Sequence, residues 1–149
     1  LVVRLVGRGD EVVRQSAESA GVAVEMEPYV PHDEAVRQQA SAGLLLLSIE
    51  PFAADAGMIT GKLYEYLASG RPVLGVGPPE GDAAALLRET AGGVLLGRED
   101  VTGIMEVVRD HYAAWAEGAP RSGASWDAVL PYTRRAQTAR LAEILCTFP

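Results

Sequence analysis

The stretch Gly61-Lys62-Leu63-Tyr64-Glu65-Tyr66-Leu67-Ala68-Ser69-Gly70-Arg71-Pro72-Val73-Leu74-Gly75-Val76 changes its hydrophobic period halfway. From Gly61 to Ser69, Leu63 and Leu67 recur at helical spacing, while Lys62, Glu65 and Ser69 share a stripe nearly opposite them. Gly70 stops that helix, and Pro72 to Val76 follows as a short apolar run of strand type. Just upstream, Leu44 to Leu47 is wholly apolar, as expected of a strand covered on both faces. The irregular loop Glu50 to Thr60 joins that strand to the helix. Strand, loop, helix and strand in this order make a βαβ unit, which calls for a parallel sheet.

Outward from this unit the rhythm repeats. Leu1 to Val6 reads as a strand, Gly7-Arg8-Gly9-Asp10 as a turn, Glu11 to Ala20 as a helix stopped by Gly21, and Val22 to Met26 as a strand. A loop from Pro28 to Pro31 precedes a helix from Asp33 to Ala42, with Asp33 in N-cap position. Downstream come a helix from Asp82 to Thr90, a strand from Gly93 to Leu96 and a long helix from Val101 to Glu117. A glycine- and serine-rich loop from Ala119 to Ser125 leads to a final helix from Pro131 to Leu145. The whole reads as one α/β domain, doubly wound, with helices on both faces of a parallel sheet. In such folds ligands bind beyond the carboxyl ends of the strands. The loops after Val6, Met26, Leu47, Val76 and Leu96 are therefore the candidates.

The 149 residues suit one domain, and 48% apolar content is enough for a core. A net charge of -7 argues against a nucleic-acid partner, which needs a basic footprint. Cys146 is the one cysteine, so neither a disulfide framework nor a metal cluster is expected, and a reducing cytoplasm fits. No run approaches membrane-spanning length and no signal peptide is visible. His32 and His111 lack ligand partners at metal spacing, and no Asp-x-Asp pair occurs. Trp115 and Trp126 are expected to pack. Because the chain opens at Leu1 inside an apolar run, it reads as a piece cut from a longer polypeptide.

The chemistry gathers at the start of the helix from Gly61. Gly57 and Gly61 let a ligand approach the backbone closely. Thr60 is placed to cap the helix, and the free amides of its first turn form an anion site aided by the helix dipole. Lys62, the single lysine among thirteen lysines and arginines, adds a point charge there. Glu65, on the same stripe, suits a pair of ribose hydroxyls, because a carboxylate accepts both hydrogen bonds. The plainer alternative stays open: a solvated face with an ordinary Lys62–Glu65 pair at i, i+3. Gly7-Arg8-Gly9 is not a dinucleotide fingerprint, since Val12 stands where the third glycine belongs. It reads as a turn that brings Arg8 near a phosphate or leaves it at the surface.

The run from Lys62 to Leu74 resembles the donor-site helix of the group 1, or family 4, retaining glycosyltransferases of GT-B fold, in their C-terminal domain. Val6-Gly7-Arg8-Gly9-Asp10 resembles the strand-loop of that domain's second βα unit, and Tyr29-Val30-Pro31 the loop beside the nucleotide base. Tyr132-Thr133-Arg134-Arg135-Ala136-Gln137 resembles the opening of its closing helix. In that family two glutamates with seven residues between them flank the donor loop. Glu65 stands in the place of the second, which contacts the ribose, and Gly57 replaces the first, which approaches the transferred sugar. Glu50 and Asp55 are the nearby acids. The loop Thr60-Gly61-Lys62 matches the stretch whose amides hold the diphosphate. Nothing matches the family domain's first βα unit, so the run from Leu1 to Val6 is expected to border a gap or to borrow a strand.

The resemblance implies transfer of a sugar, of hexosyltransferase type, from a nucleotide diphosphate sugar to an acceptor glycan, lipid or small molecule, with retention and without metal or other cofactor. The donor-binding residues would be Gly7, Arg8, Tyr29, Val30, Gly57, Thr60, Gly61, Lys62 and Glu65. The acceptor side and most catalytic groups would lie on an N-terminal domain of the same enzyme, leaving this domain inactive alone. A cytoplasmic enzyme is implied, with peripheral association at the inner face of the membrane left open. Two other classes keep the same residues: a sugar-nucleotide epimerase of the same fold, and a non-enzymatic nucleotide-binding module.

Overall fold

The computed structural model describes residues 1–7, 11–50 and 55–147. The order is β1 (Val2–Val6), α1 (Glu11–Ser19), β2 (Ala23–Glu27), α2 (His32–Ser41), β3 (Leu45–Ser48), a 3₁₀ turn (Asp55–Gly57), α3 (Gly61–Ala68), β4 (Val73–Val76), α4 (Asp82–Glu89), β5 (Gly93–Leu96), α5 (Val101–Ala116), α6 (Trp126–Val129), a second 3₁₀ turn (Leu130–Tyr132) and α7 (Arg134–Cys146). All described pairing is parallel, in two sheets: β1-β2 and β3-β4-β5. The chain is thus α/β with parallel strands. It divides into two compact units, Leu1–Ser41 and Ala42–Pro149, where the sequence suggests one domain.

In the first unit, β1 and β2 run in register from Val2–Ala23 to Val6–Glu27. Arg4 bonds Glu25 across the ladder at 2.8 Å. On α1, Arg14 joins Glu11 one turn before it and Glu18 one turn after. Hydrogen bonds from Arg14, then Gln15, hold the Glu11 carboxyl down to about 2. Asp33 does not cap α2. The helix opens at His32, the amides of Glu34 and Ala35 donate to the Pro31 carbonyl, and Asp33 lies inside the first turn, paired with Arg37. No described residue of this unit is fully buried, as expected when so few residues must enclose a core.

The second unit holds the core. Leu45 and Leu47 of β3, Val73 of β4 and Leu95 of β5 pack with Leu63 and Leu67 of α3, Leu86 and Leu87 of α4, and Val129 of α6. Leu46 corrects the expectation of a strand covered on both faces: it is 56% exposed between two buried leucines. Alternate residues of a strand face opposite ways, and α3 and α4 cover the side of Leu45 and Leu47. At the end of α3, Gly70 takes φ +68, the left-handed stop that a side chain resists.

The tail also differs from the reading. Instead of one helix from Pro131, Ser125 caps the short α6 by accepting from the Ala128 amide, and Thr133 caps α7 by accepting from the Ala136 amide. The 3₁₀ turn between them holds Pro131, which has no amide to donate to a continuous helix. Upstream, the Gly123 amide donates to the Gly70 carbonyl at 2.8 Å, tying the tail to the end of α3. Both tryptophans are largely exposed, contrary to the packing expected. The Trp115 ring lies 5.7 Å from that of Tyr112 in α5, tilted by 35°, and Trp126 opens α6 on the wall of a cleft.

Candidate cleft at the start of helix α3

Because β3 and β4 are parallel, α3 must run back from their carboxyl ends, and its start stands at that rim. Ladder bonds from the Ile49 amide to Val76 and from the Gly77 amide to Leu96 mark the same rim. Leu63 and Leu67 are buried to 0% and 1% exposure, whereas Lys62 and Glu65 are exposed. The polar stripe therefore faces outward, as the spacing predicts. Burial, with the Glu65 charge adding to it, raises the Tyr66 phenol above its ordinary value.

Thr60 occupies the N-cap position with extended backbone, but its side chain makes no capping bond. The hydroxyl is buried without a hydrogen-bond partner, so the cap expected of it is not formed. An N-cap bond contributes ~0.5–2 kcal/mol, whereas a buried unpaired hydroxyl is a cost. Thr60→Val should therefore leave stability within about 0.5 kcal/mol of the parent, or raise it. Urea unfolding checks this, and a loss of a full kcal/mol would mean that the hydroxyl caps in solution.

An ideal Cβ at Gly57 or at Gly61 would meet nothing within 4 Å. Packing within the protein therefore does not demand glycine at either place, and the backbone there is open. Gly57 ends the 3₁₀ turn that begins at Asp55, and the Met58 amide donates to the Asp55 carbonyl. Glu50 is exposed and accepts from the Ser48 hydroxyl at 3.4 Å.

A cleft of about 530 Å³ lies between α3 and the tail. Gly61, Tyr64, Glu65 and Ala68 form one wall, at i, i+3, i+4 and i+7 along the helix. Trp126, Tyr132, Thr133, Arg134 and Gln137 line it from the tail. The Tyr64 and Tyr132 rings lie 6.4 Å apart, tilted by 35°. A hydrogen bond with Glu89 raises the Tyr132 phenol. The cleft thus combines aromatic side chains with a carboxylate, a guanidinium and an amide, a set suited to holding a polar molecule with a flat or apolar face.

Of the expected site, the cleft takes in Gly61 and Glu65, while Thr60, Lys62 and Gly57 lie on or before the same helix start. Gly7, Tyr29 and Val30 belong to the first unit. There the Gly7 amide donates to Glu27, and Tyr29 is 83% exposed. Arg8 lies outside the described residues. The cleft residues of the tail went unassigned in the sequence, although Thr133-Arg134-Arg135-Ala136 carries a cap signal.

A second cavity, of about 310 Å³, opens at the opposite end of the strands, beside Gly93, Asp110, His111 and Arg121. His111 Nδ1 is occupied by the Val107 carbonyl at 2.8 Å. Among the described residues no three His, Cys, Asp or Glu side chains are grouped to hold a metal, and no helix is long and apolar enough to cross a membrane. No protein-family model, no curated protein and no solved structure matches the chain.

Proposed function

We propose that this chain is the nucleotide-sugar-binding part of a retaining glycosyltransferase, a doubly wound domain of GT-B type. The observation that carries the reading is the cleft in which Gly61 and Glu65 share a wall, at the helix start whose sequence resembles that family's donor site. Each part has a task in the transfer. Glu65 accepts hydrogen bonds from the ribose diol. The open backbone from Thr60 to Lys62 presents amides to the diphosphate, with the helix dipole behind them. As the bond to the sugar breaks, negative charge grows on the leaving diphosphate, and these fixed dipoles stabilise it without reorganising. The acceptor, and the groups that activate it, belong to an N-terminal partner domain.

Calorimetric titration of the 149-residue chain with uridine, guanosine and adenosine diphosphates and their nucleosides tests the reading. One diphosphate should bind, and more tightly than its nucleoside. Absence of binding across the panel removes the donor-site assignment.

A further inference from the structure

We infer that Arg134, on the tail helix, supplies the positive charge that holds the donor's diphosphate in this cleft. The inference rests on the donor-site reading above and adds a residue from outside the donor-site helix α3. Glu65 of α3 and Arg134 of α7 line one cavity. A nucleoside diphosphate brought against Glu65 places its phosphates beside a carboxylate, in a chain of net charge -7. A positive charge in the cleft adds to the amides in offsetting that repulsion. Lys62 and Arg134 are both exposed, and of the two Arg134 lines the cleft. Its planar fork bonds two phosphate oxygens in a fixed bidentate geometry, which a rotating ammonium does not impose.

The position of Arg134 points the same way. Arg134 and Arg135 open α7, whose first turn has no acidic residue. The positive end of a helix dipole favours acids there and disfavours cations. Breaking a local rule of this kind is expected where a residue serves a site and not the fold. The capping of α7 by Thr133 and its tie to the Ala136 amide hold that helix start in place. Gln137, one turn on, lines the cleft beside Arg134 and offers both a donor and an acceptor to hydroxyls of the same ligand.

The experiment is calorimetry on the full chain carrying Arg134→Ala, Arg134→Lys or Glu65→Ala, with the same diphosphates and nucleosides. Arg134→Ala should weaken diphosphate binding tenfold or more and leave nucleoside binding unchanged. Arg134→Lys should recover part of the loss, because it restores charge without the fork. Circular dichroism should match the parent in all three, since both residues are exposed. If Glu65→Ala weakens the diphosphate and Arg134→Ala does not, the inference is overturned and the donor site survives. If the parent binds no diphosphate, both are overturned.

Discussion

Gly93→Ala should unfold, or come close to unfolding, the unit that carries the cleft. Gly93 opens β5 directly opposite Val73 of the central strand. A Cβ on its backbone, at φ +154, would lie 2.0 Å from the Val73 carbonyl oxygen and 2.7 Å from the Val73 amide nitrogen. Both are main-chain atoms, so no side-chain rotation relieves the contact. One strand must move, and the bond from the Val73 amide to the Gly92 carbonyl, at 3.0 Å, moves with it. The cost should exceed the ~1–3 kcal/mol usual for overpacking, within a total stability of order 5–15 kcal/mol. For a unit of this size the melting temperature should fall by about 10 °C or more. Gly97→Ala, just past the other end of β5, is the control, because a Cβ there meets nothing within 4 Å. Thermal unfolding followed by circular dichroism compares the two. A parent-like melt for Gly93→Ala would mean that β4 and β5 do not pair in this register.

The same region shows what the sequence could reveal and what it could not. The change of period between Ser69 and Pro72 located α3 and β4 within a residue, because helix spacing and strand composition both act locally. Four consecutive leucines, in contrast, carry no alternation. Whether Leu46 is covered depends on where distant helices land, and only the fold answers that. In the tail, Pro131 is compatible with the first turn of a helix, so a single helix was a fair reading. The Ser125 and Thr133 caps, each with its amide three residues on, were the signal for two. Of the cleft residues, Glu65 was singled out by the helical stripe together with the family resemblance, and the cleft takes it in. Arg134 was not, since it meets the cleft through a long-range approach of the tail to α3. Its local trace was a pair of arginines at a helix start, which reads as an oddity until the rest of the cleft is known.

Glu65→Ala should weaken binding of the nucleoside diphosphate ten- to a hundredfold or more, and lower donor use in the complete enzyme by a similar factor. The magnitude follows from the bond being replaced. A hydrogen bond to a charged group is worth about 1.5–3 kcal/mol, and each ~1.4 kcal/mol is a factor of ten in affinity. Stability should stay near the parent's, because Glu65 lies on the exposed side of α3 while Leu63 and Leu67 carry its burial. Loss of affinity alone would not prove contact with the ribose, since removing a charge from the cleft alters its field. Removing the ligand's own hydroxyl separates the two. A 2′-deoxynucleoside diphosphate should bind the parent more weakly than the ribose form, and bind Glu65→Ala about as well as the ribose form does. The coupling in that cycle reads the contact directly. If the 2′-hydroxyl matters equally in both proteins, Glu65 does not hold the ribose, and the stripe of Lys62 and Glu65 is a solvated helix face.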